Sequence, residues 1–474
     1  MPDPLRNQKL QGNMTKIIPL SIPDKYIRGI EKIYSTLEKN GNECFMVGGA
    51  VRDLIMGSPA EDYDFATNAR PDVLMKIFRH AVPTGIKHGT VSVIVDGEVF
   101  EVTTYRNDGK YDDGRHPNEV IFSDSLEVDI SRRDFTMNGL AYNYRTNEVV
   151  DFCGGIEDIN RRVIRTIGKP VDRFSEDGLR PYRACRFASK LGFDIEEETF
   201  NSIRLTLDVS AKVSAERIRD EFVKTVMTDR PSVGLEYMRK SGLLEQFLPE
   251  LFACYGVEQN KYHAFDVYYH CVYSCDAAIN DKLEVKLAAL LHDIAKPQVR
   301  RKGADGENTF YNHEVVGSRM VKNIMKRLKF SNAEIDCVTN LVINHMFHYT
   351  EDWNDGAVRR FMRKVGVENL GDLARVRLAD RAGNGSRSGM PAPIHELFRR
   401  IEKIIEAENA ITVKDLMING NDIMSMFQIK PGRIIGKILN ELLELVLDDP
   451  AANTAENLAE KAKEIYEKEV RGEN

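Results

Sequence analysis

The sequence predicts a multidomain protein, with an α+β head built on a mixed sheet followed by an all-α neck, body and tail. Three observations lead there. The length, 474 residues, exceeds what one hydrophobic core usually serves. Strand and helix patterns alternate up to about residue 168, and from residue 173 the patterns are helical almost to the end. We place boundaries at 1–27 for a disordered or variable lead-in, 28–168 for the head, 169–230 for the neck, 231–400 for the body and 401–474 for the tail.

The lead-in, MPDPLRNQKLQGN, lacks the apolar core of a signal peptide, and no apolar run approaches a membrane span. Residues 25 to 40 read as an amphipathic helix. ECFMVGG, 43 to 49, reads as a buried strand ending in a glycine turn, and AVRDLIMG as a helix stopped by Gly57. YDF reads as a short strand and PDVLMKIFRHA as a helix opened by proline and aspartate. TVSVIV and EVFEVTTY read as strands joined by a hairpin turn at Asp96-Gly97.

Composition narrows the class. Hydrophobic residues at 42% and charged residues at 29% suit a soluble globular protein. A net charge of −7 argues against a general nucleic-acid binder, so any RNA-binding surface must concentrate its cations. Arg161, Arg162, Arg165, Lys169, Arg173, Arg180, Arg183 and Arg186 form such a concentration, which also suits a solvated helix face. Cysteines 44, 153, 185, 254, 271, 275 and 337 show no paired metal-site spacing, so reduced thiols in a cytoplasmic protein are expected.

The head carries the first chemistry. Gly48 and Gly49 sit where a strand meets a helix, where backbone N–H groups can approach phosphate closely, and Arg52 lies one turn on. Asp62 and Asp64 are two apart on a predicted strand and so share a face. Paired carboxylates repel unless a cation neutralises them, and Mg²⁺ favours one or two carboxylates plus substrate phosphates. Glu101, on the second hairpin strand, is a candidate third acid. Surface aspartates in a turn are the alternative.

The run GGAVRDLIMG-x₄-DYD resembles the signature of the DNA polymerase beta nucleotidyltransferase superfamily, closest to class II tRNA nucleotidyltransferases and bacterial poly(A) polymerases. SRRDFTMNGLAYN, 131 to 143, extends the resemblance, with Gly139 where alanine is usual. The resemblance assigns Arg133 and Asp134 to the nucleotide and its ribose. EDGLRPYRACRFASKLGF, 176 to 193, resembles the family's nucleotide-selecting motif. It implies that Asp177 and Arg180 read the base edge of CTP or ATP, while Arg183 and Arg186 make further nucleotide contacts.

On a helix, Asp177 and Arg180 would be neighbours, whereas Arg186 lies half a turn away and is assigned to phosphate or structural pairing. Glu176 is placed to buttress Arg180. Pro181 would cost about 3 kcal/mol inside a helix, so Asp177 is predicted at the helix start.

His270, His292-Asp293 and Asp380 resemble the quartet of the HD phosphohydrolase superfamily. His313 and His345 match positions that hold a second metal in richer sites. Imidazoles with carboxylates suit Mn²⁺, Ni²⁺, Co²⁺ or Zn²⁺. Residues 415 to 446 resemble the C-terminal portion of many tRNA nucleotidyltransferases.

The expected activity is addition of CMP and AMP from CTP and ATP to the tRNA 3′ end, with Mg²⁺ in the head and an additional HD-type phosphohydrolase activity. Alternatives are an A-adding or CC-adding enzyme, a poly(A) polymerase, an HD phosphohydrolase with an RNA-binding head, and a non-catalytic RNA-binding protein. The sequence sets no oligomeric state.

Overall fold

The computed structural model describes residues 14–108, 120–260, 263–385, 389–407 and 412–471. The chain divides into two compact units, Met1–Phe252 and Ala253–Asn474. The first begins with β1 (Met14–Ile17), α1 (Asp24–Lys39), β2 (Phe45–Val47), α2 (Gly49–Ile55), β3 (Asp64–Thr67), α3 (Pro71–Ile77), β4 (Ala81–Gly85), β5 (Thr90–Val95) and β6 (Glu98–Thr104). It continues with β7 (Arg106–Asp108), β8 (Val120–Phe122), α4 (Leu126–Ser131), β9 (Leu140–Asn143) and β10 (Glu148–Asp151).

Eight of these strands form one sheet in the order β1-β10-β9-β2-β3-β6-β5-β4. Its pairings are antiparallel except β3 with β6, so the sheet is mixed as expected. The parallel pair sets Asp64 opposite Glu101. Helix α1 buries Ile30, Ile33, Tyr34 and Leu37, one face at helical spacing. The Tyr34 hydroxyl donates to the Tyr142 carbonyl at 2.8 Å and accepts from the Met46 N–H at 3.2 Å, tying α1 to β9 and β2. Asp96 (φ 53°) and Gly97 (φ 88°) make the predicted hairpin turn, both left-handed.

The lead-in boundary needs correction. Met14–Ile17 pairs antiparallel with β10, and α1 starts at Asp24, so the head begins before residue 28. An edge strand leaves N–H and C=O groups open, and four residues of lead-in satisfy those of β10.

The head closes with α5 (Gly155–Arg161), and the neck comprises α6 (Pro170–Glu176), α7 (Arg180–Leu191), α8 (Glu197–Leu205), α9 (Leu207–Ser210), α10 (Ala215–Val226) and α11 (Pro231–Ser241). The boundary at 230/231 also moves. Helix α11 packs on α7, where Gly234 donates its N–H to Ser189 Oγ at 2.7 Å. A Cβ at Gly234 would stand 2.6 Å from the Cys185 carbonyl oxygen, so only glycine permits this approach. Gly139 has a similar reason: a Cβ there would meet Cys153 Sγ at 2.7 Å and Ile167 Cδ1 at 2.8 Å.

The second unit is helical. Val267–Ala277, Leu283–Leu291, His313–Arg327, Asn332–Asn344 and Leu370–Gly383 supply its centre. Body and tail are not separate. Ala392–Glu406 runs through the expected boundary at 400/401. Helix Arg433–Asp448 is tied to Asp355–Val365 by Arg360–Glu444 (2.8 Å) and Arg363–Glu444 (2.9 Å). Ala455–Arg471 adds Leu458 and Ala462 to an apolar cluster with Ile438, Leu442, Leu443 and Val446. The seven cysteines form no disulfide.

Gly383 fixes how closely the Asp380 helix approaches the His270 helix. A Cβ at Gly383 would overlap Ser274 Oγ and lie 2.5 Å from the Ser274 backbone nitrogen. Gly383→Ala is therefore expected to destabilise by about 1–3 kcal/mol. In a unit of this size, the melting midpoint should fall by roughly 2–4 °C per kcal/mol. An unchanged midpoint in thermal unfolding would contradict that packing.

Candidate functional site: a nucleotide cleft and a histidine–aspartate centre

The head cleft is built where β2, β3 and the chain after α4 meet. Gly48 has φ +76°, a conformation open to glycine. A Cβ there would sit 3.3 Å from Arg133 Nη1 and 3.9 Å from Asp64 Oδ2, so loop, acid and arginine face one point. Burial pushes the Asp64 carboxyl up to about 6; Glu101 adds to the rise, Arg133 opposes it, and Asp62 adds again.

One expectation fails in part. Strand β3 begins at Asp64, so Asp62 lies outside it and strand alternation does not align the pair. Nor do the three acids converge tightly: among the described residues, no three-ligand group within 4.8 Å includes them. The donors remain hard carboxylate oxygens, with Asp64 beside Gly48 and Arg133, which fits Mg²⁺.

Arg132 and Arg133 are positioned by Asp129, a buried residue of α4 that the motif reading missed. Asp129 Oδ1 accepts from Arg132 Nε (2.9 Å) and Nη2 (2.7 Å), and Oδ2 accepts from Arg133 Nη2 at 3.2 Å. The spacing i, i+3, i+4 on a helix carried that signal.

Asp134 is placed differently from the ribose contact implied by the resemblance. Oδ1 accepts from the Phe135 N–H (2.8 Å) and Asn138 Nδ2 (3.0 Å); Oδ2 accepts from Arg183 Nε (2.9 Å) and Nη2 (2.7 Å). All four acceptor directions are taken. Burial alone would raise its pKa, but Arg183 and Asn138 hold it at about 2. Asn138 Oδ1 also accepts from Arg52 Nη1 at 2.6 Å, and Arg52 pairs with Asp53 at 2.7 Å. Arg52 is 2% exposed, so it braces the loop rather than standing free for phosphate.

The neck forms the facing wall. Pro181 lies in the first turn of α7, as predicted, but the helix starts at Arg180. Asp177 precedes it in extended conformation, so Asp177 and Arg180 are not helical neighbours. The Leu179 N–H donates to Asp177 Oδ1 at 3.0 Å, and Arg217 Nη2 donates to both Asp177 oxygens. Arg180 Nη1 donates to Glu176 Oε2 at 2.6 Å, the expected buttress, and Nη2 to the Arg132 carbonyl at 3.0 Å. Arg186 pairs with buried Glu221 at 2.6 Å and lies 4.1 Å from the Phe187 ring centre, a structural pairing. Gly48, Asp64, Arg133, Asp177, Arg180, Arg183 and Arg217 all line one cleft of about 400 Å³.

The second unit gathers the six histidine and aspartate residues that the sequence marked. His270 Nε2 lies 3.3 Å from Asp293 Oδ2 and 3.2 Å from Asp380 Oδ1, and His292 Nε2 lies 3.2 Å from Asp293 Oδ2. The opposite oxygen, Asp293 Oδ1, lies 3.2 Å from His313 Nε2 and 3.8 Å from His345 Nε2. Two three-ligand groups result, His270/His292/Asp293 and Asp293/His313/His345, joined at Asp293.

Backbone carbonyls of Ala289, Phe310 and Val342 bond Nδ1 of His292, His313 and His345 at 2.7–2.8 Å, aiming each Nε2 inward. Lys296, missed in the sequence, places Nζ 2.6 Å from Asp293 Oδ2. This donor chemistry fits borderline divalent metals.

Residues 44–165 match the family model of the poly A polymerase head domain. Residues 192–254 match the RNA and SrmB-binding site of polymerase A, and 313–462 match tRNA nucleotidyltransferase domain 2. The CCA-adding enzyme of Ligilactobacillus salivarius is 32% identical over 95% of this chain and 99% of its own. The chain belongs to the CCA-adding enzymes. The Enterococcus faecalis CCA-adding enzyme is 30% identical, over 94% of this chain and 97% of its own. The Bacillus stearothermophilus CCA-adding enzyme, solved in complex with CTP, matches with a TM-score of 0.73 at 27% identity, covering 95% of this chain and 100% of that one.

The raised Asp64 pKa has a measurable sign. Between its ordinary value and about 6, the folded carboxyl keeps a proton that the unfolded chain loses. It therefore favours folding at low pH, and that contribution is lost as pH rises through about 6. Metal binding at about pH 5.5 should expel this proton. Titration calorimetry with Mg²⁺, in buffers of different ionisation enthalpy, should show proton release at about pH 5.5 but not at about pH 8. Asp64→Asn should lack it. Equal release by wild type and Asp64→Asn would contradict the assignment.

Proposed function

We propose that this chain adds CMP and AMP, from CTP and ATP, to the 3′ end of tRNA without a nucleic-acid template. One observation carries the reading: Asp177 and Arg180 line the same cleft as Gly48 and Asp64, so base-reading and phosphate-facing groups share one volume. Membership of the CCA-adding enzymes supports it, as does likeness to an enzyme solved with CTP.

The tRNA 3′-hydroxyl attacks the α-phosphate, forming the new phosphodiester and expelling pyrophosphate. Asp62, Asp64 and Glu101 would hold Mg²⁺. When bound, the metal supplies charge neutralisation at the attacking and leaving oxygens. Gly48 and Gly49 leave room for the triphosphate, and Arg133, steadied by Asp129, donates to it. Arg183 is held by Asp134 at the cleft wall. Asp177 accepts from the exocyclic amino group that cytosine and adenine share, and Arg180 donates to the adjacent ring nitrogen. Arg186 and Arg52 serve as braces.

The histidine–aspartate centre is proposed as a phosphohydrolase site for phosphate esters at RNA ends, holding Mn²⁺, Ni²⁺, Co²⁺ or Zn²⁺. His270, His292, Asp293 and Asp380 supply one position, and His313 and His345 share Asp293 in a second. No described helix is long and apolar enough to cross a membrane. We place the enzyme in the cytoplasm, where its undisulfided cysteines suit a reducing setting.

The two sites should separate genetically. Asp64→Ala is expected to cut CMP and AMP incorporation by at least about 10³-fold while sparing hydrolysis of a phosphate ester. His292→Ala should abolish hydrolysis and leave incorporation intact. Incorporation unaffected by Asp64→Ala would overturn the transferase assignment; hydrolysis surviving His292→Ala would overturn the second.

A further inference from the structure

We infer that a second cavity beside the histidine–aspartate centre binds the base of the nucleotide whose phosphate enters that centre. The inference rests on the phosphohydrolase reading of the centre and names what its substrate carries. The cavity holds about 400 Å³, within the range of small-ligand pockets. Phe347, Trp353 and Phe361 give it aromatic walls, while Glu314, Arg360 and Lys364 add charge.

Position ties this cavity to the centre. His313 and His345 line the cavity of the centre, and the residue after each, Glu314 or Met346, lines the second. Met346 lines both, so the two cavities adjoin. It is 51% exposed, and its flexible thioether can pack against a ring that enters from either side.

The walls suit a planar base. Trp353 meets Tyr349 and Phe361 edge-on, with ring centres 5.5 and 5.9 Å apart, and Phe347 lies 5.2 Å from Phe361 at a tilt of 41°. No described ring stacks in parallel on Trp353. Unstacked RNA bases lie on aromatic side chains with little regard to sequence. The loop that carries the tryptophan is fixed in advance. Arg400 Nη1 donates to the Trp353 carbonyl at 2.7 Å and to the Tyr349 hydroxyl at 3.1 Å. Asn354 caps the helix Asp355–Val365, its Oδ1 accepting from the Ala357 N–H at 2.8 Å. A preformed pocket loses less conformational entropy on binding.

The charges suit a nucleotide strand. Arg360 is bound by Glu444 at 2.8 Å and Asp448 at 2.6 Å, which neutralise it. Lys364, one turn on and exposed, adds a cation to the same cavity. Glu314 disfavours a phosphate inside but accepts from a base amino group or a ribose hydroxyl. The cavity therefore takes the base, Lys364 faces the backbone, and the reacting phosphate lies in the adjoining centre. An RNA end fills both cavities, whereas a small phosphomonoester fills one.

Trp353 is the only tryptophan in the chain, so its fluorescence reports this cavity. The full chain is titrated, without added metal, with a trinucleotide RNA ending in a 3′-phosphate, and separately with inorganic phosphate. The RNA should quench the emission saturably, with or without saturating CTP, and inorganic phosphate should not. Hydrolysis of the same RNA and of p-nitrophenyl phosphate is then compared with each candidate metal. Trp353→Leu should raise the KM for the RNA at least about fivefold at unchanged kcat, and leave p-nitrophenyl phosphate hydrolysis as in wild type. Trp353→Phe, which keeps a ring, should retain most of the RNA affinity, with thermal melting run on both variants. Lys364→Ala should weaken RNA binding and flatten its salt dependence. Absent quenching, or an unchanged RNA KM in well-folded Trp353→Leu, overturns the base site, and the hydrolase reading stands if both substrates are still cleaved. Saturable quenching with neither substrate cleaved supports the base site and overturns the hydrolase reading.

Discussion

The Asp134–Arg183 pair is the contact on which the nucleotide cleft depends. Asp134 belongs to the head motif after α4, and Arg183 to the first turns of α7. Arg183 Nε and Nη2 both donate to Asp134 Oδ2, at 2.9 and 2.7 Å, which couples the head motif to α7 at the cleft wall. The carboxylate is 9% exposed and fully hydrogen-bonded, so removing either partner leaves a buried charge uncompensated. Around it the polar groups form a chain from Asp53 through Arg52 and Asn138 to Asp134, then Arg183 and Glu221. Such a chain rigidifies the cleft before substrate enters, and preorganised donors cost no rearrangement during reaction.

That network explains why some residues were legible and others were not. Turns and proline stops depend on local backbone, so Asp96-Gly97, Gly48 and Pro181 behave as their sequence implies. The Asp64–Glu101 neighbourhood was also legible, although it arises from a parallel pairing that no local pattern specifies. Side-chain partners across the fold were not. The residues bracing Arg52, Asp177 and Arg186 lie 86, 40 and 35 positions away. An arginine in a phosphate motif reads as a ligand until such a partner is seen. Asp62 was misread because strand β3 begins two residues later than the alternation required.

The second unit was more legible at its site than at its borders. Each metal-ligand candidate is a histidine or aspartate, a residue type rarely buried without a partner, and all six converge. The borders failed because helical patterns do not reveal which helices pack. Ala392–Glu406 runs through the 400/401 border, and Arg360 and Arg363 tie the tail to the body through Glu444, contacts that no local pattern announces.

We propose that a protein surface alone selects C, C and then A. The most direct measurement follows product length and sequence when the wild-type chain meets tRNA lacking CCA, tRNA ending in CC, and all four nucleoside triphosphates together. The expected products are C, C and A added to the first, A alone added to the second, and no further growth. Addition restricted to A on the CC-ended tRNA, or a tail of many adenylates, would contradict the proposal.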